Sequence, residues 1–345
     1  MQIEELERYQ KQISIDQIGI EGQRRLKNGR LLVVGAGGLG CPALTQLVGA
    51  GIGQIGVVDG DDVELSNLPR QSLFNDSNIG NNKAVVAAQQ LHLMNPHVSV
   101  VAYPCFLNSA NVHELLADYD IVIDATDRPA PRYEISKYCG NQSKAHIYGA
   151  VDGMSGQITV FNVYDEKDQT YSYVDLFPEP SPNACRCSEA GILGMIPNSI
   201  GTLQAVEAIK LLLGQRSPLQ SKLLTINYES YQQKIIALSS NPRSSRGYQL
   251  NSLPLAPPLI SCQELDQLLL SSTPPLLIDV RDKTEAKEKH LGGLWIPLHT
   301  LAEQVPPLPT DRLVIVYCQT GRRSVLAANT LKEMFPEANI RCLEG

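Results

Sequence analysis

No two cysteines in this chain stand in Cys-x-x-Cys spacing, although there are eight, at positions 41, 105, 139, 185, 187, 262, 318 and 342. The closest pair, Cys185 and Cys187, is one residue apart, which speaks against a four-cysteine zinc site. No run approaches the roughly 18 apolar residues that a membrane-crossing helix needs. The opening MQIEELERYQKQ lacks the basic-then-apolar order of a secretory signal. The expectation is therefore a cytoplasmic protein whose thiols stay reduced rather than forming a disulfide framework. An excess of basic charge is also missing. Lys plus Arg number 29 against 36 Asp plus Glu, a net charge of -7, which argues against nucleic acid as the main partner, because phosphate neutralisation needs cations. Charged residues are 19% and hydrophobic ones 43%, so a disordered or collagen-like chain is excluded as well.

What is present is enough material for about two domains in 345 residues. Residues 1–26 form a polar lead-in with apolar positions spaced for partial burial. Leu31–Val34 is a short apolar run, as a fully buried parallel strand requires. A glycine-rich turn, a helical stretch Cys41–Ala50 and a second strand Gln54–Val58 complete one βαβ unit. Further strands are expected at His97–Ala102, Ile121–Asp124, Ala145–Gly149 and Gln157–Asn162, and a helix at Ser199–Leu213. From residue 239 to 258 the chain turns to Ser, Pro, Asn and Arg without a period, the composition of a linker. A fresh α/β pattern follows: a helix at Ser261–Leu270, strands at 276–280 and 313–318, and a helix at Ser324–Phe335. The expected division is 1–238, a linker at 239–258, and 259–345. The fold class is α/β, a Rossmann-like nucleotide-binding domain followed by a small α/β domain.

Gly35-x-Gly37-x-x-Gly40 lies between a strand and a helix, and Asp59 ends the next strand. Glycines let backbone amides approach a phosphate at the helix N-terminus, and the acid suits ribose hydroxyls. Downstream come Asp61, then Ser66, Asn67, Arg70 and Gln71, then Gly80-x-x-Lys83. Two cations so close to the ribose acid suit a triphosphate better than a nicotinamide. Asp124-Ala-Thr-Asp127 at a strand's C-terminal end supplies an acid where magnesium could sit. Together these residues describe a site for ATP and Mg2+.

These residues resemble the MoeB/ThiF branch of the ubiquitin-activating-enzyme superfamily. RYQKQ (8–12), GAGGLG (35–40), DGDDVELSNLPRQ (59–71), Gly80 with Lys83, DATD (124–127), CSEAGILG (187–194) and IGTLQAVEAIKLL (200–212) carry the match over residues 5–235. The resemblance implies an ATP-dependent adenylyltransferase acting on the C-terminal Gly-Gly carboxylate of a ubiquitin-like sulfur carrier protein. It implies that Gly38 and its loop face the phosphates, that Asp59 holds the ribose, and that Asn67, Arg70 and Lys83 contact nucleotide or phosphate. Asp127 would bind magnesium. A homodimer is implied, in which Arg8 and Lys11 approach the phosphates from the neighbouring subunit. Cys187 matches a family cysteine that forms covalent intermediates in some members. Three departures stand out. Lys11 replaces a second arginine and loses its bidentate fork. Arg128 stands where the family has asparagine. Both Cys-x-x-Cys zinc pairs are missing, the first position reading Tyr171–Asp175 and the second SSNPRSS (239–245), so no structural zinc is expected.

In the second half, Cys318-x-x-Gly321-x-Arg323-Ser324 leaves a strand and enters a helix. Such a loop aims amides at the sulfur, and the helix dipole favours thiolate. With Asp279-Val-Arg281, Glu285, His290-Leu-Gly-Gly and Ile296-Pro-Leu, residues 259–345 resemble the rhodanese family. This resemblance implies a sulfurtransferase whose Cys318 carries a persulfide, Arg322 and Arg323 adding positive charge. The family continues into a short helix where LEG (343–345) stops here, so the expected fold is short of one element. The fusion of a carboxylate-activating domain with a sulfur-bearing one implies conversion of the carrier's C-terminus to a thiocarboxylate, sulfur being loaded by a persulfide donor such as a cysteine desulfurase. Molybdopterin, thiamine, tRNA thiolation and sulfur amino-acid synthesis all use such carriers. Two rival readings are an NAD-dependent oxidoreductase with a thiol domain and a non-catalytic scaffold that recruits carriers.

Overall fold

The computed structural model describes residues 3–167, 169–178, 191–238, 247–248, 259–271, 273–281, 285–286, 291–318 and 322–343. The chain divides into two compact units, one of residues Arg24–Asn251 and one of Met1–Gln23 with Ser252–Gly345.

The first unit is built on eight strands: β1 (Arg30–Val34), β2 (Gln54–Val58), β3 (Ser99–Tyr103), β4 (Ile121–Asp124), β5 (Ala145–Asp152), β6 (Ser155–Phe161), β7 (Lys222–Asn227) and β8 (Gln232–Ala237). Their order is β3-β2-β1-β4-β5-β6-β7-β8. The first five are parallel and the last three antiparallel. The chain moves outward from β1 to β3, then returns to the other side of β1 with β4. A crevice therefore opens at the C-terminal ends of β1 and β4, where open α/β sheets bind ligands.

The unbroken apolar run of β1 is explained by cover on both faces. Leu31 and Val33 join a core with Leu44, Leu47, Leu91 and Ile200 from the helices Gly40–Ala50, Lys83–Met94 and Met195–Leu212. Leu32 and Val34 point the other way, into a core with Leu116, Tyr119, Ile135 and Tyr138. Gly56 on β2 is required by that second core, because a Cβ there would sit 2.4 Å from the Tyr119 hydroxyl.

β2 and β4 lie where the sequence expects them, β1 begins one residue early at Arg30, and β3 begins two residues late. Asn95 takes the intervening residues into a turn: its Nδ2 donates to Val48 O at 2.8 Å and its carbonyl accepts from Val98 N at 3.2 Å. The last helix starts at Met195, four residues before the expected Ser199, since Pro197 in a first turn costs no hydrogen bond. The hairpin β7–β8 is not among the expected strands. Every residue of β8 is exposed, so it carries no inward-facing pattern to read. Within the expected linker, Tyr248 is buried against the first core and bridges to Val163.

The second unit has a wholly parallel sheet of β9 (Leu259–Ile260), β10 (Leu276–Asp279), β11 (Leu294–Trp295), β12 (Val314–Tyr317) and β13 (Ile340–Leu343), in the order β11-β10-β12-β13-β9. β12 is central, and its residues alternate between two cores, Val314 and Val316 in one and Ile315 and Tyr317 in the other. Cys318 is the next residue, and the helix Arg322–Met334 follows. The helices Ile3–Arg8 and Gln10–Ile13 also belong to this unit.

Candidate nucleotide and sulfur-transfer sites

Backbone crowding dictates the glycine loop. Gly35 has φ +100°, and a Cβ there would lie 2.6 Å from Ala125 O. At Gly40 a Cβ would lie 1.9 Å from Gly35 O. The loop therefore doubles tightly into the helix Gly40–Ala50 beside the end of β4, with its amides at a helix N-terminus. Gly37 and Gly38 face residues of the crevice: the nearest neighbours to a Cβ on each are Gln71 Nε2 at 3.7 Å and Pro197 at 3.1 Å.

Asp59 closes the loop from β2. Its Oδ2 accepts from Ala36 N at 2.7 Å and its Oδ1 from Asp61 N at 2.9 Å. Burial raises its pKa despite these amides and the nearby Lys83 ammonium. Asn82 holds the turn below it, donating to the carbonyls of Asp59 at 3.1 Å and Asp61 at 3.2 Å. The same side chain caps the next helix by accepting from Ala84 N at 3.0 Å. Lys83 is the first residue of that helix, buried, with Nζ 3.7 Å from Asp61 Oδ2.

Arg70 is half-buried and donates to Ser66 O at 2.7 Å. Gly194 presses on this segment, since a Cβ there would be 2.4 Å from Pro69 O. Asn67 Oδ1 and Gln71 Oε1 are buried without a hydrogen-bond partner. Buried polar atoms are nearly always satisfied. These two are among thirteen unpaired ones in the described residues, and they stand out by lying beside the glycine loop, where a hydroxyl or amine of a ligand could donate to them. Ser66 is exposed.

Across the crevice, Asp124 ends β4 wholly buried. Burial works against its charge, but His146 at 3.3 Å, Arg132 at 4.0 Å and the Thr126 hydroxyl at 2.6 Å hold its pKa below the usual carboxylate range. Arg132 also donates to Thr126 O at 2.6 Å, and Gln204 to Asp124 O at 2.7 Å. This cluster fixes the turn that presents Asp127 and Arg128, both exposed. Arg128 lies 3.6 Å from Asp61 Oδ1. Among the described residues no three of His, Cys, Asp and Glu gather in a metal-holding group. One free carboxylate beside a polyphosphate is nevertheless the usual protein share of a magnesium site, and Asp127 fits it.

Cys318 is buried at the end of β12. Ser324 N donates to its Sγ at 3.3 Å, and the two side chains are 3.7 Å apart. Arg323 pairs through both terminal nitrogens with Glu285, each at 2.6 Å. Arg281 forks onto Asp279 at 2.9 and 2.7 Å and stacks on Tyr317.

Residues 9–247 match the family model described as the ThiF family. The chain belongs to the ThiF family. Residues 261–345 of this ThiF-family protein match the rhodanese-like domain. It is 37% identical over 348 residues to a "Probable molybdopterin-synthase adenylyltransferase" of Porphyra purpurea, covering 96% of this chain and 89% of that one. It is 33% identical to "Adenylyltransferase and sulfurtransferase UBA4" of Vanderwaltozyma polyspora, covering 100% of this chain and 88% of that one. Among solved structures, E. coli MccB with ATP superimposes with TM-score 0.57 at 23% identity, covering 66% of this chain and 68% of that one, a likeness of fold.

The structure of this ThiF-family protein brings together Gly35, Gly37, Gly38, Gly40, Asp59, Asp61, Asn67, Arg70, Gln71, Lys83, Asp127 and Arg128 around one sheet edge. Arg8 and Lys11 are exposed residues of the other unit. Cys185, Cys187, Gly321 and the Arg322 side chain lie outside the described residues. Sequence reasoning missed Asn82, Arg132, His146 and Gln204. Only His146, a lone histidine in the apolar run Ala145–Gly149, gave a local signal.

Proposed function

We propose that this protein adenylylates the C-terminal Gly-Gly carboxylate of a ubiquitin-like sulfur carrier with ATP, and converts it to a thiocarboxylate with sulfur from a persulfide on Cys318. The observation carrying the first half is the convergence, at the β1/β4 crevice, of the glycine loop, Asp59, Lys83 and the two unpartnered buried atoms of Asn67 and Gln71. The fork between Asp59 and the loop suits a ribose followed by phosphates, and the cations suit a triphosphate.

A carrier carboxylate oxygen attacks the α-phosphorus, the bond to the bridging oxygen breaks, and pyrophosphate leaves with that electron pair. Little covalent work falls to the protein, so its role is positioning and charge stabilisation. Loop amides receive the phosphate oxygens. Lys83 and Arg70 exchange Asp61 and the Ser66 carbonyl for them. Asp127, together with the nucleotide, would hold a magnesium ion, which would supply neutralisation of the phosphate charge. The terminal sulfur of the Cys318 persulfide then attacks the acyl carbon and AMP departs, leaving an acyl disulfide. The Cys187 thiolate then attacks Cys318 Sγ, and the thiocarboxylate leaves with the electron pair of the broken S–S bond. The Cys187–Cys318 disulfide so formed is returned to two thiols by an external dithiol reductant.

The functional division is 1–238 for adenylylation and 259–345 for sulfur transfer, joined by 239–258. The protein acts in the cytoplasm as a homodimer in which Arg8 and Lys11 serve the neighbouring site, and a cysteine desulfurase loads Cys318. The aromatic cluster of Tyr133, Tyr148, Phe161, Tyr173 and Phe177 packs around Tyr173, in the segment Tyr171–Asp175 where the family's first Cys-x-x-Cys pair is missing. The test is thiocarboxylate formation on a carrier ending in Gly-Gly. Asp127→Ala abolishes adenylate and thiocarboxylate together, whereas Cys318→Ala abolishes thiocarboxylate alone. Loss of both products in Cys318→Ala overturns the division of labour.

A further inference from the structure

Next to the ribose acid lies a pair of side chains that neither core employs. Phe106, in the loop after β3, is 50% exposed and belongs to no hydrophobic cluster. Its ring packs against the turn that follows Asp59, since a Cβ on Gly60 would meet Phe106 Cγ and Cδ2 at 2.7 Å. Over the ring stands the Arg128 guanidinium, 5.1 Å from the centroid. Arg128 keeps its side chain 60% exposed and is steadied by Asp61 at 3.6 Å. Both groups keep much of their surface open to solvent, so the pair leaves a planar surface available to a flat ligand.

We infer that Phe106 and Arg128 form the stacking platform for the nucleobase of the bound nucleotide. The inference rests on the ATP reading and adds to it the element that holds the base. Direction supports it. Phosphates go from Asp59 toward the glycine loop, so the base goes the other way, toward the loops that follow β3 and β4. Those loops carry Phe106 and Arg128. Aromatic rings and guanidinium planes both stack on heteroaromatic bases, and such stacking tolerates any base because each has a π-face. Asp61 has a second part here: it ties Arg128 on one oxygen and Lys83 on the other. When phosphates draw Lys83 away, Asp61 remains to hold Arg128 in the stack.

The role is separable from phosphate binding by comparing ATP with inorganic tripolyphosphate, which has no base. Binding of each, with magnesium, is measured by titration calorimetry on the full-length protein carrying Phe106→Ala, Phe106→Trp, Arg128→Ala or both alanines. The platform predicts that Phe106→Ala and Arg128→Ala each weaken ATP by about tenfold and leave tripolyphosphate unchanged. Phe106→Trp retains wild-type ATP affinity. The double variant loses less than the product of the single losses, because the two groups act as one stack. If Arg128→Ala weakens tripolyphosphate as much as ATP, Arg128 is a phosphate ligand and the platform is wrong. Unchanged ATP affinity in Phe106→Ala overturns it equally. A wild-type protein that binds neither compound refutes the nucleotide reading itself, and is thereby told apart from a failure of the platform.

Discussion

Ala36 N donates to Asp59 Oδ2 at 2.7 Å. The glycine loop and the ribose acid are therefore one hydrogen-bonded element, and a change in either alters both. The other oxygen of Asp59 holds the turn at Asp61, so the carboxylate is already oriented before a nucleotide arrives.

Asp59→Asn separates binding from stability. Burial raises the Asp59 pKa. A carboxyl whose folded pKa lies above its unfolded one costs stability once pH exceeds the unfolded value, and the cost disappears as pH falls below both. The amide carries no charge to bury. The gain is offset because asparagine keeps one acceptor oxygen, so its NH2 meets one of the two backbone amides that Asp59 satisfies. At pH 7 the variant is expected to melt slightly below wild type, while its KM for ATP rises about tenfold or more from the lost charged acceptor. Melting by circular dichroism and kinetics with varied ATP check the two halves.

Gly40→Ala is expected to cost about 1–3 kcal/mol or more, the range for overpacking. Its Cβ would lie 1.9 Å from a backbone oxygen that no rotamer change can move aside. Gly153→Ala, with nothing within 4 Å but φ +54°, pays only conformational strain. Denaturant unfolding of the two variants is expected to place Gly40→Ala clearly below Gly153→Ala.

Acid acts on both units through named carboxylates. Asp124 and Asp279 both have lowered pKa values: burial opposes their charge, and the partners that overcome it are His146, Arg132 and Thr126 for one and Arg281 for the other. A depressed carboxyl contributes stability that is present above its unfolded pKa of about 4 and lost as pH falls through the folded value. Melting temperature is expected to drop below about pH 4, and Asp279→Asn flattens part of that acid limb while lowering stability at pH 7. An unchanged limb in Asp279→Asn contradicts this.

Thiol reactivity is expected to be selective. Burial pushes Cys41 and Cys342 up to about 12 and raises Cys139 as well. At pH 8 these three stay protonated and resist iodoacetamide in the folded protein, and they are alkylated once it is unfolded in denaturant. Peptide mapping by mass spectrometry reads this directly.

Much of the fold was legible because parallel strands covered on both faces read as apolar runs, and glycine loops sit where backbones touch. Leu31–Val34, Ile121–Asp124 and the loop at 35–40 needed no tertiary knowledge. β8 was not legible, because an edge strand exposed along its whole length carries no alternation. The site split in the same way. Asp59 and Lys83 follow from spacing along the chain, whereas Arg132, His146 and Gln204 meet Asp124 from three separate elements. Their partnership arises only once β4, β5 and two helices pack, so no local pattern announces it. Arg128 appeared in the sequence as a departure from the family's asparagine, and the structure supplies the neighbours, Phe106 and Asp61, that give the departure a physical setting.

The most direct test of the central claim is ATP–pyrophosphate exchange measured with a small carrier ending in Gly-Gly and with the same carrier lacking those two residues. The account predicts exchange with the intact carrier, none with the shortened one, and none with Asp127→Ala. Exchange that proceeds equally with the shortened carrier would contradict it.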